Sequence, residues 1–252
     1  MILILDFGSQ YTQLIARRIR EAKVYCEIHP GNRPIHSFGE INKIRGIILS
    51  GGPSSVYEEG APWPDEKLWE LNIPILGICY GMQLIAEHFG GKVKPSGQRE
   101  YGVAQLSISS QSGLFKKLPK KMTVWMSHGD HLSKIPGNFK KIAHTANSQY
   151  AAIADLKKNM YGVQFHPEVK HTPFGKKILE NFVFNVCKVK KDWSMHSFVE
   201  NETKKIREQV GEEKVICALS GGVDSSVAAT MVHKALGKQL TCIFVDNGVL
   251  RL

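Results

Sequence analysis

The stretch Pro74-Ile-Leu-Gly-Ile-Cys-Tyr-Gly-Met-Gln83 decides how this chain reads. A short apolar run, Ile75 to Ile78, passes directly into a G-x-C-x-G turn and then into the helical pattern of Leu84, Ile85 and Phe89, the layout of a nucleophile elbow with sulfur in place of a hydroxyl. At the apex of such a turn, Cβ atoms two residues before and two after would collide, and Gly77 and Gly81 remove them. The helix opening at Tyr80 aims N–H groups and its positive dipole end at Cys79, favouring thiolate over the ~8.5 pKa of a free thiol. A reactive nucleophile is therefore expected. The plain alternative, a buried cysteine acting as a small hydrophobe, suits Cys26, Cys187, Cys217 and Cys242.

Working outward, apolar runs alternate with helical patterns: Ile2 to Leu5, a helix from about Ser9 to Ala22, then Val24 to Ile28, Ile47 to Leu49 and Ile75 to Ile78. That rhythm predicts an α/β fold, and the continuously apolar strands suit a parallel sheet covered on both faces. Between about Val103 and Val163 the texture becomes alternating, as in Ala104 to Ile108 and Thr123 to Met126, so a mixed, mostly parallel sheet flanked by helices is expected. An amphipathic helix near Phe174 to Val186 closes this unit.

The 252 residues, 42% of them apolar, suffice for at least one core. No apolar run approaches the ~20 residues of a spanning helix, and the N-terminus lacks a signal-peptide core, so the reading is cytoplasmic with no membrane partner. Five cysteines, odd in number, widely spaced and never in C-x-x-C, argue against a disulfide framework or a zinc site. The net charge of +10 sits mostly in scattered Lys-Lys pairs without an Arg stripe or interleaved aromatics. It reads as solvated surface, so no nucleic-acid partner is expected.

A thiolate needs a base and a group to orient that base. Phe165-His-Pro-Glu168 supplies both, because residues two apart in an extended segment project to one side, letting Glu168 steady the His166 ring. Leu49-Ser-Gly-Gly-Pro53 is a glycine turn directly after a strand; the N–H groups of Gly52 and Tyr80 are the candidate oxyanion donors. Taken alone, that turn is equally an ordinary bend.

Gly-Gly-Pro, Gly-Ile-Cys-Tyr-Gly-Met-Gln and His-Pro-Glu, in this order and spacing, resemble the triad-type class I glutamine amidotransferases over about residues 1–187. The resemblance implies a flavodoxin-like sheet. It also implies attack of Cys79 on the glutamine side-chain amide, proton transfer by His166, orientation of His166 by Glu168, and release of ammonia. Gln83 and the stretch Ser127, His128, Gly129 and Asp130 would help hold glutamine, although His128 and Asp130 also fit an ordinary polar turn. The triad alone would also serve a γ-glutamyl peptidase.

Residues 188–214 read as a helical linker, after which Val215 to Leu219 restarts a strand, turn and helix that run on to Phe244-Val-Asp-Asn-Gly248. Between strand and helix lies Ser220-Gly221-Gly222-Val223-Asp224-Ser225-Ser226. Its glycines can close backbone N–H groups around a phosphate chain, the serines add donors, and the helix N-terminus adds partial positive charge. The loop has no Lys of the G-x-x-x-x-G-K type, which disfavours γ-phosphoryl transfer. Asp224 is placed to hold Mg²⁺ between nucleotide oxygens, while a simple turn with a helix cap is the bland reading. The motif resembles the pyrophosphate-loop ATPases, which implies ATP as a ligand. One βαβ unit leaves its sheet faces in water, so 215–252 reads as the truncated start of a second α/β domain. By resemblance, the site of the ammonia acceptor and the surface pairing two copies lie mostly beyond it.

Overall fold

A computed structural model describes residues 1–38 and 41–245, apart from the side chains of residues 97–99. Two compact units result, the first spanning Met1–Asp192 and the second opening at Trp193.

The first unit is built on a nine-stranded sheet. Strands β1 (Ile2–Asp6), β2 (Cys26–Pro30), β3 (Gly46–Leu49) and β4 (Ile75–Ile78) pair in parallel in the order β2, β1, β3, β4. Helix α1 (Thr12–Glu21) crosses between β1 and β2, and α2 (Tyr80–His88) begins as soon as β4 ends. The long strands β5 (Lys92–Ile108) and β6 (Lys121–Lys134), with β7 (Lys140–His144) and β8 (Ala152–Asp155), form an antiparallel wing. Strand β9 (Met160–Val163) returns to lie parallel beside β4, with Gly77 opposite Gly162 and Ile78 opposite Val163. The mixed, mostly parallel α/β sheet expected from the apolar runs is thus the one that forms.

Alternate residues of β1 explain why its run is continuously apolar: Ile2 and Ile4 enter one core, Leu3 and Leu5 the other. The first core takes Ile15, Ala16 and Ile19 from α1 and Ile178 and Leu179 from helix α3 (Gly175–Glu180). The second takes Met82, Leu84 and Ile85 from α2. Helix α3 continues as a π-helical turn, Asn181–Val186, where the Asn181 amide donates to the Leu114 and Lys116 carbonyls at 2.7 and 2.9 Å. Periodicity alone read this segment as one regular helix. Among the described residues no helix is long and apolar enough to cross a membrane.

In the second unit, α4 (Met195–Val210) starts at a Ser194/Ser197 capping box, and the Arg207 guanidinium donates to the carbonyls of Ala235 and Lys234. Strands β10 (Val215–Leu219) and β11 (Leu240–Phe244) pair in parallel around the crossover helix α5 (Val223–Leu236). Asp246 to Gly248 lie outside the described residues.

Candidate active site

Cys79 occupies the bend between β4 and α2 at φ 50° and ψ −104°, backbone that an L-residue adopts only under constraint. The constraint is visible on both sides. A Cβ on Gly77 would strike the Gly81 carbonyl, and one on Gly81 would strike the Leu49 carbonyl oxygen. The Cys79 N–H donates to Val163 at 2.8 Å, and the Gly81 N–H donates to Ser50 at 3.1 Å, so the bend is tied to the strands on either side of β4.

Strand β9 brings up the other two triad candidates. Just past its end, His166 is buried against Cys79, and its Nδ1 lies 2.7 Å from Oε1 of the fully buried Glu168. Burial alone pulls the imidazolium pKa down. Hydrogen bonds to the Cys79 sulfur and to Glu168, with their charges, more than reverse this and hold it at about 10. The turn carrying the pair is clamped. The His166 N–H donates to the Trp125 carbonyl at 3.0 Å, the Thr172 hydroxyl donates to the His166 carbonyl at 2.7 Å, and Arg18 Nε donates to the Glu168 carbonyl at 3.2 Å. The Tyr11 ring meets the imidazole edge-on at 5.2 Å between centroids.

In front of the sulfur is a pocket of about 490 Å³ lined by Gly52, Cys79, Tyr80, Gln83, Ser127, His128 and Asp130, together with Ser55 and Tyr57. The structure therefore gathers every glutamine-site and oxyanion candidate of the first unit around Cys79. Among the described residues, neither the Gly52 nor the Tyr80 N–H is consumed by a turn or side-chain hydrogen bond. A Cβ on Gly52 would press on the Phe7 carbonyl, so glycine is needed for this close approach. Asp130 accepts hydroxyl hydrogen bonds from Ser55 (2.5 Å) and Tyr57 (2.7 Å), which hold a carboxylate at the pocket wall. The wall is shaped by an irregularity in the β5–β6 ladder between the Pro95–Asp130 and Glu100–His128 pairs, and such bulges commonly re-aim side chains at sites.

Two contributors escaped the sequence reading. The Gln164 side-chain amide donates to the Cys79 sulfur at 3.6 Å. Its position two residues before His166 in extended chain was the available signal. Asp6 accepts from the Gly8 N–H at 3.0 Å and the Thr12 hydroxyl at 2.6 Å, bracing the loop beside Gly51 and Gly52.

In the second unit, Ser220 to Gly222 turn tightly into the first turn of α5, Val223 to Ser226, with Gly221 at φ 76°. The Ser225 and Ser226 hydroxyls both donate to the Gly222 carbonyl, at 3.1 and 2.9 Å. Asp224 is the acidic residue of the first helical turn. Among the described residues no cluster of three metal-ligating side chains exists.

Residues 3–186 match the family model of glutamine amidotransferase class-I, and residues 195–245 match that of NAD synthase. The GMP synthase [glutamine-hydrolyzing] of Brachyspira hyodysenteriae is 58% identical over 250 residues, covering 99% of this chain and 48% of that protein. Its counterpart from Bacillus velezensis is 56% identical over 251 residues, covering 100% and 49%. The chain thus spans about half the length of the curated relatives it matches. A solved structure from Thermoplasma acidophilum, named for one of the subunits of a GMP synthase, is 33% identical with a TM-score of 0.65, covering 80% of this chain and 96% of that one.

Proposed function

The chain belongs to the class-I glutamine amidotransferases, and from that premise we propose that its first unit hydrolyses glutamine to glutamate and ammonia through Cys79, His166 and Glu168. The observation that carries this reading is a cysteine at a strained bend, partnered by a buried histidine that is itself held by a buried glutamate, at the wall of a polar pocket.

The Cys79 thiolate adds to the amide carbon of glutamine, and the developing oxyanion is received by the Gly52 and Tyr80 N–H groups, each such donor being worth about 10²- to 10³-fold in rate. The His166 imidazolium gives its proton to the departing nitrogen, so ammonia leaves and a γ-glutamyl thioester remains. Now neutral, His166 takes a proton from water; the hydroxide adds to the thioester, and collapse returns the thiolate and releases glutamate. Glu168 keeps Nδ1 protonated and Nε2 turned to the sulfur throughout. Asp130, with Gln83, Ser127 and His128, holds the α-amino and α-carboxyl ends of the substrate.

The released ammonia serves a ligase reaction in this reading: ATP-dependent conversion of XMP to GMP, giving AMP and pyrophosphate. The relatives at 56–58% identity and the NAD synthase match support it. Ser220, Gly221, Gly222, Val223, Ser225 and Ser226 would cradle the ATP phosphates. Asp224 would hold Mg²⁺, which supplies charge neutralisation on those phosphates. A cytoplasmic location suits the reaction.

Glutamate release from glutamine is expected to vanish in Cys79→Ala, and a diazoketone analogue of glutamine should label Cys79 covalently. Release by the variant at the unmodified rate would refute the assignment.

A further inference from the structure

Glu100 is a buried carboxylate that lies outside the pocket lining and outside the triad. Its carboxylate sits between the Thr145 hydroxyl, which lies 3.1 Å from Oε1 and 3.4 Å from Oε2, and the His128 ring. The Ser148 N–H donates to the Thr145 hydroxyl at 2.9 Å, which turns that hydroxyl's own hydrogen onto Glu100 Oε1 at 3.1 Å. Oε2 faces His128 Nε2 at 3.3 Å, without the alignment of a hydrogen bond.

The opposite ring nitrogen has a partner of its own. Nδ1 is 2.8 Å from the Asp130 carbonyl oxygen, which can only accept, so Nδ1 carries a hydrogen. With the Glu100 carboxylate beside Nε2, the imidazole has a neighbour at both ring nitrogens in a site almost closed to water. Beyond it, the Asp130 carboxylate takes the Ser55 and Tyr57 hydroxyls. A continuous set of contacts therefore runs from Thr145 through Glu100 and His128 to Asp130, and across the pocket to the loop after Gly52.

We propose that Glu100 is a positioning residue for the amino-acid pocket: by holding His128 from behind, it fixes the β6 segment that presents the Ser127 main chain and the Asp130 carboxylate to the bound amino acid. The inference rests on the glutaminase reading and deepens it. Glu100 touches neither substrate nor sulfur, so its removal should weaken recognition of the α-amino and α-carboxyl groups while sparing thiolate chemistry.

The test uses the 252-residue protein and two alkylating probes. A diazoketone analogue of glutamine needs the pocket wall; iodoacetamide needs only the Cys79 thiolate. In Glu100→Ala the half-saturating concentration of the analogue should rise about 10-fold, the scale of a lost hydrogen bond to a charged group, with its maximal inactivation rate within about twofold. Iodoacetamide should react at the unmodified rate. Glu100→Gln, which keeps the shape and the Thr145 contact, should fall between Glu100→Ala and the parent. Equal analogue saturation in all three proteins overturns the proposal, as does a parallel loss of iodoacetamide reactivity, which would mean general damage to the site. Should Glu100→Ala not fold, an unshifted Glu100→Gln overturns it. Failure of the parent protein to react with the analogue at all would instead bring down the glutaminase reading.

Discussion

Nδ1 of His166 lies 2.7 Å from Oε1 of Glu168, and both side chains are closed to water. The contact commits Nδ1 to the carboxylate and leaves Nε2 for the sulfur. Glu168→Gln keeps the shape and removes the charge that stabilises the imidazolium. We expect kcat for glutamine hydrolysis to fall on the order of 10⁴-fold, by analogy with carboxylate-to-amide changes in other triads, with KM nearly unchanged. Steady-state glutamate release measures both.

The same partners account for the raised pKa of His166. Deleting one of them leaves burial, which acts in the opposite direction, with less to oppose it. The His166 Cε1–H resonance should titrate near 10 in the parent protein, and Cys79→Ala or Glu168→Gln should each move the midpoint to lower pH. An unmoved midpoint in both variants would disprove the assigned cause.

Backbone strain at Cys79 predicts an inversion of the usual order of substitutions. At φ 50° a Cβ is unfavourable, so Cys79→Gly should be more stable than Cys79→Ala by about 1 kcal/mol, although glycine ordinarily costs more to order. Urea unfolding of the two inactive proteins compares them directly.

Gly175 underlies the turn that carries the triad, since a Cβ there would overlap the Pro167 carbonyl. Gly175→Ala must displace the chain between His166 and Glu168. A cost of about 2–3 kcal/mol is expected for such overpacking, which lowers Tm by roughly 4–12 °C in a unit of this size. Glutaminase activity should be lost at temperatures where the protein remains folded. Calorimetry and glutamate release together separate the two effects.

Much of this arrangement was legible in the residues. Apolar runs marked β1, β3 and β4 because strands covered on both faces leave no polar position to blur them, and the glycines two before and two after Cys79 marked the bend because no other residue fits there. Glu100 was not legible. It lies in an alternating strand with no motif around it, and its partners Thr145 and His128 reach it only through strand pairing. Gln164 escaped for a related reason: the local pattern shows that it can share a side with His166, whereas only the adjacency of β4 and β9 shows that the shared side faces sulfur. The sparse apolar positions of residues 188–214 read as a connector, and the Arg207 contacts to Ala235 and Lys234 depend on a helix that follows later in the chain.

The pairing of β4 with β9 has a consequence for how the protein comes into being. Cys79 and Gln164 are 85 positions apart, and the antiparallel wing is synthesised between them, so a nascent chain exposes its elbow long before the imidazole has been made. Closing so long an excursion is among the slower steps of folding. Under the proposed reading, the pairing of Cys79 with His166 therefore comes late, and an unfinished molecule lacks it.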